Sequence, residues 1–409
     1  MTDTWKKQTV LFLTGQSISL FGSMLVQYAI LWHITLETRS GVMMTLSIVC
    51  GFLPTFFISP FAGIWADRYD RKKLIIAADA LIAAVTLGVA LLFVFGYEAF
   101  WLLFLIMALR SFGAGVQTPA VNAFLPQIVP ADRLLRINGI NGSIQSLIAL
   151  VSPVASGALM SAVTLGKIFL IDVATAGVAI FILLIFLKVP AHKKAAQASQ
   201  TGYWQDLREG FRYIGGHGFV KRSFIHCAIY FILISPLAFL TPLQVARSFG
   251  GDVWRLTMIE VTFSVGMTAG GLLIASWGGF SNRLHTIAVS SLVTAVCTFA
   301  LGWPISFALY SVLMGILGLA MMAFQTPFTV LLQEKVDEDH MGRVFGVLGM
   351  LSSSLMPLAM LGFGPLADRI PIERLLIVTG LLLGIQGILM LADPFLIEAG
   401  LSHRKTEEK

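Results

Sequence analysis

Twelve apolar stretches, nearly free of Lys, Arg, Asp and Glu, decide what this chain can become. They fall at about residues 10–33, 43–65, 74–96, 100–125, 138–162, 168–187, 222–245, 256–278, 285–302, 305–332, 343–365 and 375–393. A helix rises about 1.5 Å per residue, so about 20 apolar residues cross the hydrocarbon core of a bilayer. Inside lipid every backbone N–H and C=O must find its partner within the segment, which leaves helices as the solution for runs of this length. The expected fold is therefore an all-α membrane protein with twelve transmembrane helices in two six-helix bundles. Charged residues make up 12% of the chain, against about 25% in soluble domains, and that excludes an ordinary soluble protein. The long uncharged run from Leu284 to Gln333 is divided by the turn residues Gly302, Trp303 and Pro304. The first run exceeds a signal-peptide core and lacks a cleavage site, so it reads as a retained helix.

The loops carry an orientation. Taking alternate loops as one side places 21 of the 28 basic residues with the N-terminus, and basic residues accumulate on the cytoplasmic side. Both termini are thus expected in the cytoplasm, with the chain in the plasma (cell inner) membrane. The net charge of +6 has its source in this bias, and no nucleic-acid partner is implied. The polar segment Pro190–His217 separates the helices six and six, giving an expected N-terminal bundle 1–188, a linker 189–218, a C-terminal bundle 219–398 and a tail 399–409. Within the linker, Trp204, Leu207, Phe211 and Ile214 alternate at helical spacing with Asp206, Arg208, Glu209 and Arg212. That describes a short amphipathic helix, resting either on the membrane surface or on the protein.

The halves repeat each other. Gln117-Thr118-Pro119 near the end of the fourth run returns 208 residues later as Gln325-Thr326-Pro327. Arg136, Gly139 and Gly142 are matched by Arg343, Gly346 and Gly349 at a spacing of 207. A constant offset of this kind is the trace of a duplicated bundle with a pseudo-two-fold relation.

Between the second and third runs lies the most charged hairpin, Gly63-Ile64-Trp65-Ala66-Asp67-Arg68-Tyr69-Asp70-Arg71-Lys72-Lys73. Its seven last residues hold four cations and two anions, more than a chain reversal requires, and Gly63 is placed to allow close helix approach. The run resembles the signature of the major facilitator superfamily, with Gly63, Asp67, Arg68, Arg71 and Lys72 on its pattern and Asp70 where Gly is usual; that departure leaves the turn conformation open, and Asp tolerates left-handed geometry better than most residues. The resemblance implies a conformational gate, with Asp67 holding the outward-facing state. Trp277–Arg283, in the corresponding slot of the second half, keeps only the Gly and Arg.

Four ionisable residues, Asp79, Arg110, Asp172 and Glu260, lie well inside the runs. Each costs about 2.5–3.5 kcal/mol at a helix centre and marks a site facing protein or water. Arg110 is followed by Ser111-Phe112-Gly113-Ala114-Gly115, which resembles the superfamily's helix 4 signature and implies a place beside the substrate cavity. Arg110 and Glu260 are the first candidates for substrate binding or proton coupling; Glu260 otherwise pairs with Arg255 or Arg247. Asp79 and Asp172 are expected chiefly in structural pairs. Gln27, Tyr28, Trp32, Gln117, Asn122, Gln145, Tyr230 and Gln325 are candidate cavity-lining residues, while His33 and His226 are candidates for hydrogen-bonded interfacial positions. Pro153 and Gly157 sit where drug antiporters of the superfamily carry a Gly-Pro motif, with Ser152 in place of Gly.

Taken together, residues 51–73, 110–130 and 333–346 resemble the macrolide efflux branch of the superfamily. The resemblance implies a monomeric exporter of hydrophobic or amphipathic small molecules by proton antiport with alternating access. Export of a siderophore or other metabolite, proton-coupled uptake of a nutrient, and uncoupled lipid movement or regulation remain alternatives. No Walker sequence for ATP is present. Neither catalytic constellation nor metal-ligand spacing is visible, and the three cysteines, Cys50, Cys227 and Cys297, lie in apolar runs, so no enzyme activity, cofactor or metal is expected.

Overall fold

The computed structural model describes residues 4–187, 203–303 and 306–400. The order of helices is α1 (Thr4–Thr38), α2 (Gly41–Arg68), α3 (Arg71–Val94), α4 (Phe100–Ile128), α5 (Leu134–Ala162), α6 (Leu165–Ile185), α7 (Tyr203–Gly216), α8 (Gly218–Ser248), α9 (Val253–Trp277), α10 (Arg283–Leu301), α11 (Phe307–Lys335), α12 (Glu338–Arg369), α13 (Ile372–Ala392) and α14 (Pro394–Ala399). Among the described residues twelve of these, all but α7 and α14, are long and apolar enough to cross a membrane. Several run through proline without ending, including α2 at Pro54 and Pro60 and α8 at Pro236 and Pro242. Packed neighbours can re-satisfy the carbonyls that proline frees in such helices.

The chain divides into two compact units, Met1–Thr38 with Leu46–Gln200, and Arg39–Thr45 with Thr201–Lys409. In the first, α1 packs on α5 and α6, and α3 on α4 and α6. In the second, α8 packs on α12 and α13, and α10 on α11 and α13. The pairing order is the same once α8 is matched to α1, which is the duplication of the sequence expressed as packing. Backbone contact is closest where α9 crosses α11: a Cβ on Gly266, Gly270 or Gly318 would run into the backbone of Gly315, Leu319 or Phe263 respectively. Small residues of this kind let helices without a hydrophobic driving force gain van der Waals contact.

The charged hairpin anchors one end of the first unit. Arg71 Nε donates to the Ala66 carbonyl at 2.8 Å and its Nη1 to that of Ala123 at 2.7 Å, while Lys72 Nζ donates to the Leu187 carbonyl at 2.8 Å. Cations thus meet the carbonyl ends of α2, α4 and the segment after α6, where the helix dipole favours them. Asp70 is an N-cap, extended at φ −64° and ψ 111°, its carboxylate accepting from the Lys73 N–H at 3.3 Å. The turn thus uses no left-handed residue at this position, and Asp is suited to it as a cap. The close approach expected at Gly63 is not found, because a Cβ there would meet nothing within 4 Å. Arg68 is exposed, and the Asp67 side chain lies outside the described residues. The matching turn in the second unit is built differently, with left-handed Gly278 (φ 76°) and Gly279 (φ 83°).

Helix α7 rests on the protein. Its Gly210 faces the Arg343 carbonyl, its Tyr213 hydroxyl lies 3.0 Å from Asp337 Oδ2 with the ring stacked on His340, and its Glu209 pairs with Arg343 at 3.1 Å. Ile214 is buried and Phe211 exposed, whereas the side chains of Trp204, Asp206 and Leu207 and the linker residues 188–202 fall outside the described residues, as do Pro304 and the tail from 401. Beside the start of α8, which follows α7 directly, Asp393 caps α14. Burial pushes its carboxyl up, but the Arg222 guanidinium and the N–H groups of Leu396 and Phe395 outweigh this and hold it below the usual carboxylate range.

Replacing Gly318 by Val places two methyl groups against a backbone carbonyl that cannot move aside. Overpacking of this kind costs about 1–3 kcal/mol, so G318V is expected to lower the unfolding midpoint of the detergent-purified protein. Valine at Gly63, where space is open, is expected to change it far less.

Candidate functional site

Inside the first unit four helices bring their polar residues to one seam. On α1, Ser19, Ser23 and Gln27 recur every four residues and so share a face. Seven residues separate Asp79 from Thr86 on α3 and Arg110 from Gln117 on α4, two turns of helix and about 10 Å of rise. The groups accordingly form two tiers. In the upper tier the Arg110 guanidinium forms an ion pair with Asp172 of α6 and donates to the Thr86 hydroxyl at 2.7 Å and to the Ser23 carbonyl at 3.3 Å. The Ser23 hydroxyl donates to Asp172 Oδ1 at 3.3 Å. Gly22 makes the room, since a Cβ there would strike the Thr175 hydroxyl and come within 3.2 Å of Asp172 Oδ1.

The lower tier is held without a cation. Asp79 Oδ1 accepts from Gln117 Nε2 at 2.6 Å and from the Ser19 hydroxyl at 3.1 Å, and the Gln16 amide also interacts with this carboxyl, while Oδ2 lies buried outside hydrogen-bond geometry among the described residues. Asp79 and Asp172 are each 1% exposed, Arg110 9%. These three are the buried charges among the described residues, and all belong to the first unit. A cavity of about 200 Å³ opens against both tiers, lined by Ser19, Ser23, Gln27, Thr55, Arg110 and Gln117 among others.

The structural pairing expected of Asp172 is present, but Asp79 has no cation and its second oxygen is idle. The expected partners of Glu260 are committed elsewhere: Arg255 to Asp252 at 3.3 Å and Arg247 to Asp368 at 2.7 Å. Of the residues expected to line a cavity, Gln27 and Gln117 do so, and Asn122 borders a separate polar cavity of about 270 Å³ with Gln16, Asn138 and Asn141. Trp32 is wholly buried against Tyr28, ring centroids 5.4 Å apart, and Tyr230 is wholly buried and stacked on Phe324 at 4.3 Å. Bulky rings are held by the core here, because they fill the space between helices. Gln145 and Gln325 are exposed. Pro153 and Gly157 belong to the buried face of α5 with Ser152 and Ser156, and the Ser156 hydroxyl donates to the Leu25 carbonyl of α1 at 3.1 Å. His33 is near the Phe100 ring, and His226 lies 3.4 Å from Gln386 Nε2.

One cluster escaped the sequence reading. Asp368 accepts from the N–H groups of Gly41 at 2.6 Å and Val42 at 3.0 Å and from the Ser40 hydroxyl at 2.7 Å, so it caps the first turn of α2 within the second unit. Arg247 bonds Asp368 and also donates to the Arg39 and Ala367 carbonyls, each at 2.6 Å. The signal was available: Gly364-Pro365-Leu366-Ala367-Asp368-Arg369 repeats the Gly-x-x-Ala-Asp-Arg of Gly63–Arg68. Its offset of 301 hides it from a search at the duplication interval.

Twelve helices long and apolar enough to span a membrane, in two units with a charged seam and a cavity buried in the first, define a polytopic membrane transporter of small molecules. A family model described as the Major Facilitator Superfamily matches residues 12–360, and the chain belongs to that superfamily. It is 29% identical over 383 residues to Macrolide efflux protein A of Streptococcus pyogenes, covering 93% of this chain and 94% of the relative. It is 26% identical over 412 residues to the multidrug efflux pump Tap of Mycobacterium bovis (strain BCG / Pasteur 1173P2), covering 96% and 94%. Among solved structures, a mutant of the nucleoside transporter NupG superposes with a TM-score of 0.71 at 14% identity, over 94% of this chain and 99% of the other.

Truncating one member of a buried ion pair strands the other charge, at a cost of about 3–5 kcal/mol, while replacing both by apolar residues is often neutral or stabilising. Arg110→Ala is therefore expected to depress the unfolding midpoint sharply, and Arg110→Met combined with Asp172→Leu to restore most of it. Thermal unfolding of the purified variants checks both.

Proposed function

We propose that this protein exports hydrophobic or amphipathic small molecules, macrolide-like compounds among them, by proton antiport with alternating access. It acts as a monomer in the cytoplasmic membrane, with both termini in the cytoplasm. The observation that carries the coupling is the state of Asp79: deeply buried, held on Oδ1 by Gln117 and Ser19, with no cation and an idle Oδ2. A carboxylate so placed is expensive unless it is protonated or faces water. Protonation supplies Oδ2 with its hydrogen and removes the charge, and wetting through the adjoining cavity lets the proton leave. Asp79 therefore has two states separated by access to water, which is what a coupling group needs. Arg110 and Asp172 hold the neighbouring tier in place, with Arg110 setting the local field through its contact with the same cavity.

The direction and the substrate class are supported by the relatives, whose names are those of efflux proteins for macrolides and for multiple drugs. The bias of basic residues supports the orientation.

In everted membrane vesicles given a pH gradient, Asp79→Asn is expected to abolish gradient-driven accumulation of a radiolabelled macrolide while Asp79→Glu retains part of it. Wild-type accumulation by the Asn variant would remove Asp79 from the coupling. Failure of a protonophore to collapse wild-type accumulation would remove antiport itself.

A further inference from the structure

The second unit contains a cavity unlike that of the first. It measures about 340 Å³ and is bordered by α8, α9, α10, α11 and α12. Met267, Met314, Met321 and Met356 line it together with Phe263, and the single charged group in its wall is Glu260. Thr241 and Thr294 are the other polar residues of the lining, and the Thr294 hydroxyl is spent on the Ser290 carbonyl at 2.9 Å. Glu260 makes no hydrogen bond or ion pair among the described residues, and Arg255 and Arg247 are bound to Asp252 and Asp368.

Two features of this arrangement point to a ligand. The first is the unpaired carboxyl: an ionisable group within a spanning helix is costly and is kept where a partner meets it. Asp79 is bonded by Ser19 and Gln117, whereas Thr241 and Thr294 are the polar side chains beside Glu260 in this lining and neither bonds it among the described residues. The second is the lining. Methionine side chains are flexible and polarisable and adapt to ligands of different outline, and an aromatic ring beside a carboxylate adds a face for a cation. The volume is at the small end of the ~300–1,000 Å³ usual for ligand pockets, enough for one ring system or one substituted arm of a larger molecule.

We infer that this cavity binds the cationic portion of a lipophilic ammonium or similar monocation, with Glu260 as its counter-ion and the methionines and Phe263 covering its apolar body. The inference rests on the export reading in naming a substrate class, and it divides the work between the units. Proton handling falls to the seam of the first unit, and recognition of charge on the substrate to the second. Anionic amphiphiles are excluded by the same carboxylate.

Equilibrium binding of radiolabelled tetraphenylphosphonium to the full-length protein tests this, using nanodiscs of phosphatidylethanolamine and phosphatidylglycerol at fixed pH. The uncharged triphenylphosphine oxide serves as a second, competing probe. Glu260→Gln is expected to weaken tetraphenylphosphonium binding about tenfold or more, equivalent to about 1.4 kcal/mol, with competition by the uncharged probe nearly unchanged. Glu260→Asp, which keeps the charge, is expected to recover most of the affinity and guards against loss by misfolding. Met314→Trp, which fills the cavity, is expected to weaken both probes. Wild-type affinity in Glu260→Gln, equal losses for the charged and uncharged probes, or no displacement by Met314→Trp overturns the assignment. Binding is read without any gradient, so loss of binding in Glu260→Gln alongside a wild type that lacks gradient-driven transport would sink the antiport reading and leave this site standing.

Discussion

The buried ion pair between Arg110 and Asp172 is the constraint around which the first unit is arranged. A guanidinium in the middle of a membrane helix has to be neutralised and its remaining N–H groups satisfied, or the helix does not stay in lipid. Here the carboxylate comes from α6, the hydroxyl from α3 and the carbonyl from α1. One arginine thereby fixes the mutual rotation of four helices. Gly22 and the serines of α1 follow from it, the glycine because the carboxylate needs its space and Ser23 because that carboxylate has further lone pairs to fill. Asp79, one tier below, is then held by amide and hydroxyl donors alone, so two equally buried carboxylates differ in their partners, and the proposed coupling role of Asp79 rests on that difference.

The two units share an order of helix packing and differ in what they bury. The second has hydroxyls and amides where the first has charge: Ser290, Ser291, Thr294 and Thr298 on α10, and Gln386 on α13 accepting from Ser291 at 3.0 Å. The carboxyl in the wall of its cavity, Glu260, shares that lining with methionines. Duplication explains the common frame, and the divergence of side chains within it supplies two chemically distinct compartments. The α9–α11 crossing shows how far the frame itself is a matter of backbone contact, since three glycines there leave no room for a methyl group.

Much of the fold was legible because the bilayer makes simple demands. Runs of apolar residues must be helices, their lengths must match the hydrocarbon, and their count follows from the interruptions. The site was legible in part. Charges inside such runs are conspicuous, so Asp79, Arg110, Asp172 and Glu260 stood out, but which of them would pair depended on helix rotation that apolar periodicity does not encode when helices are apolar nearly all round. Tyr230 and Trp32 looked like cavity residues and proved to be core, because a large ring gains more from packing than its one polar atom loses. Asp70 looked like an ill-fitting residue of a turn and is a helix cap. The Ser19, Ser23 and Gln27 stripe was present in the sequence, yet its meaning emerged only with the carboxylates it faces.

If substrate and proton move in opposite directions on one protein, the coupling can be read from the proton side. Liposomes containing the purified protein and a trapped pH-sensitive dye, with no initial pH gradient, would be exposed to an inward gradient of a macrolide. Antiport predicts alkalinisation of the lumen as the compound enters, absent in protein-free liposomes and scaling with the imposed gradient. Entry of the compound with the lumenal pH unchanged, or with acidification, would contradict it.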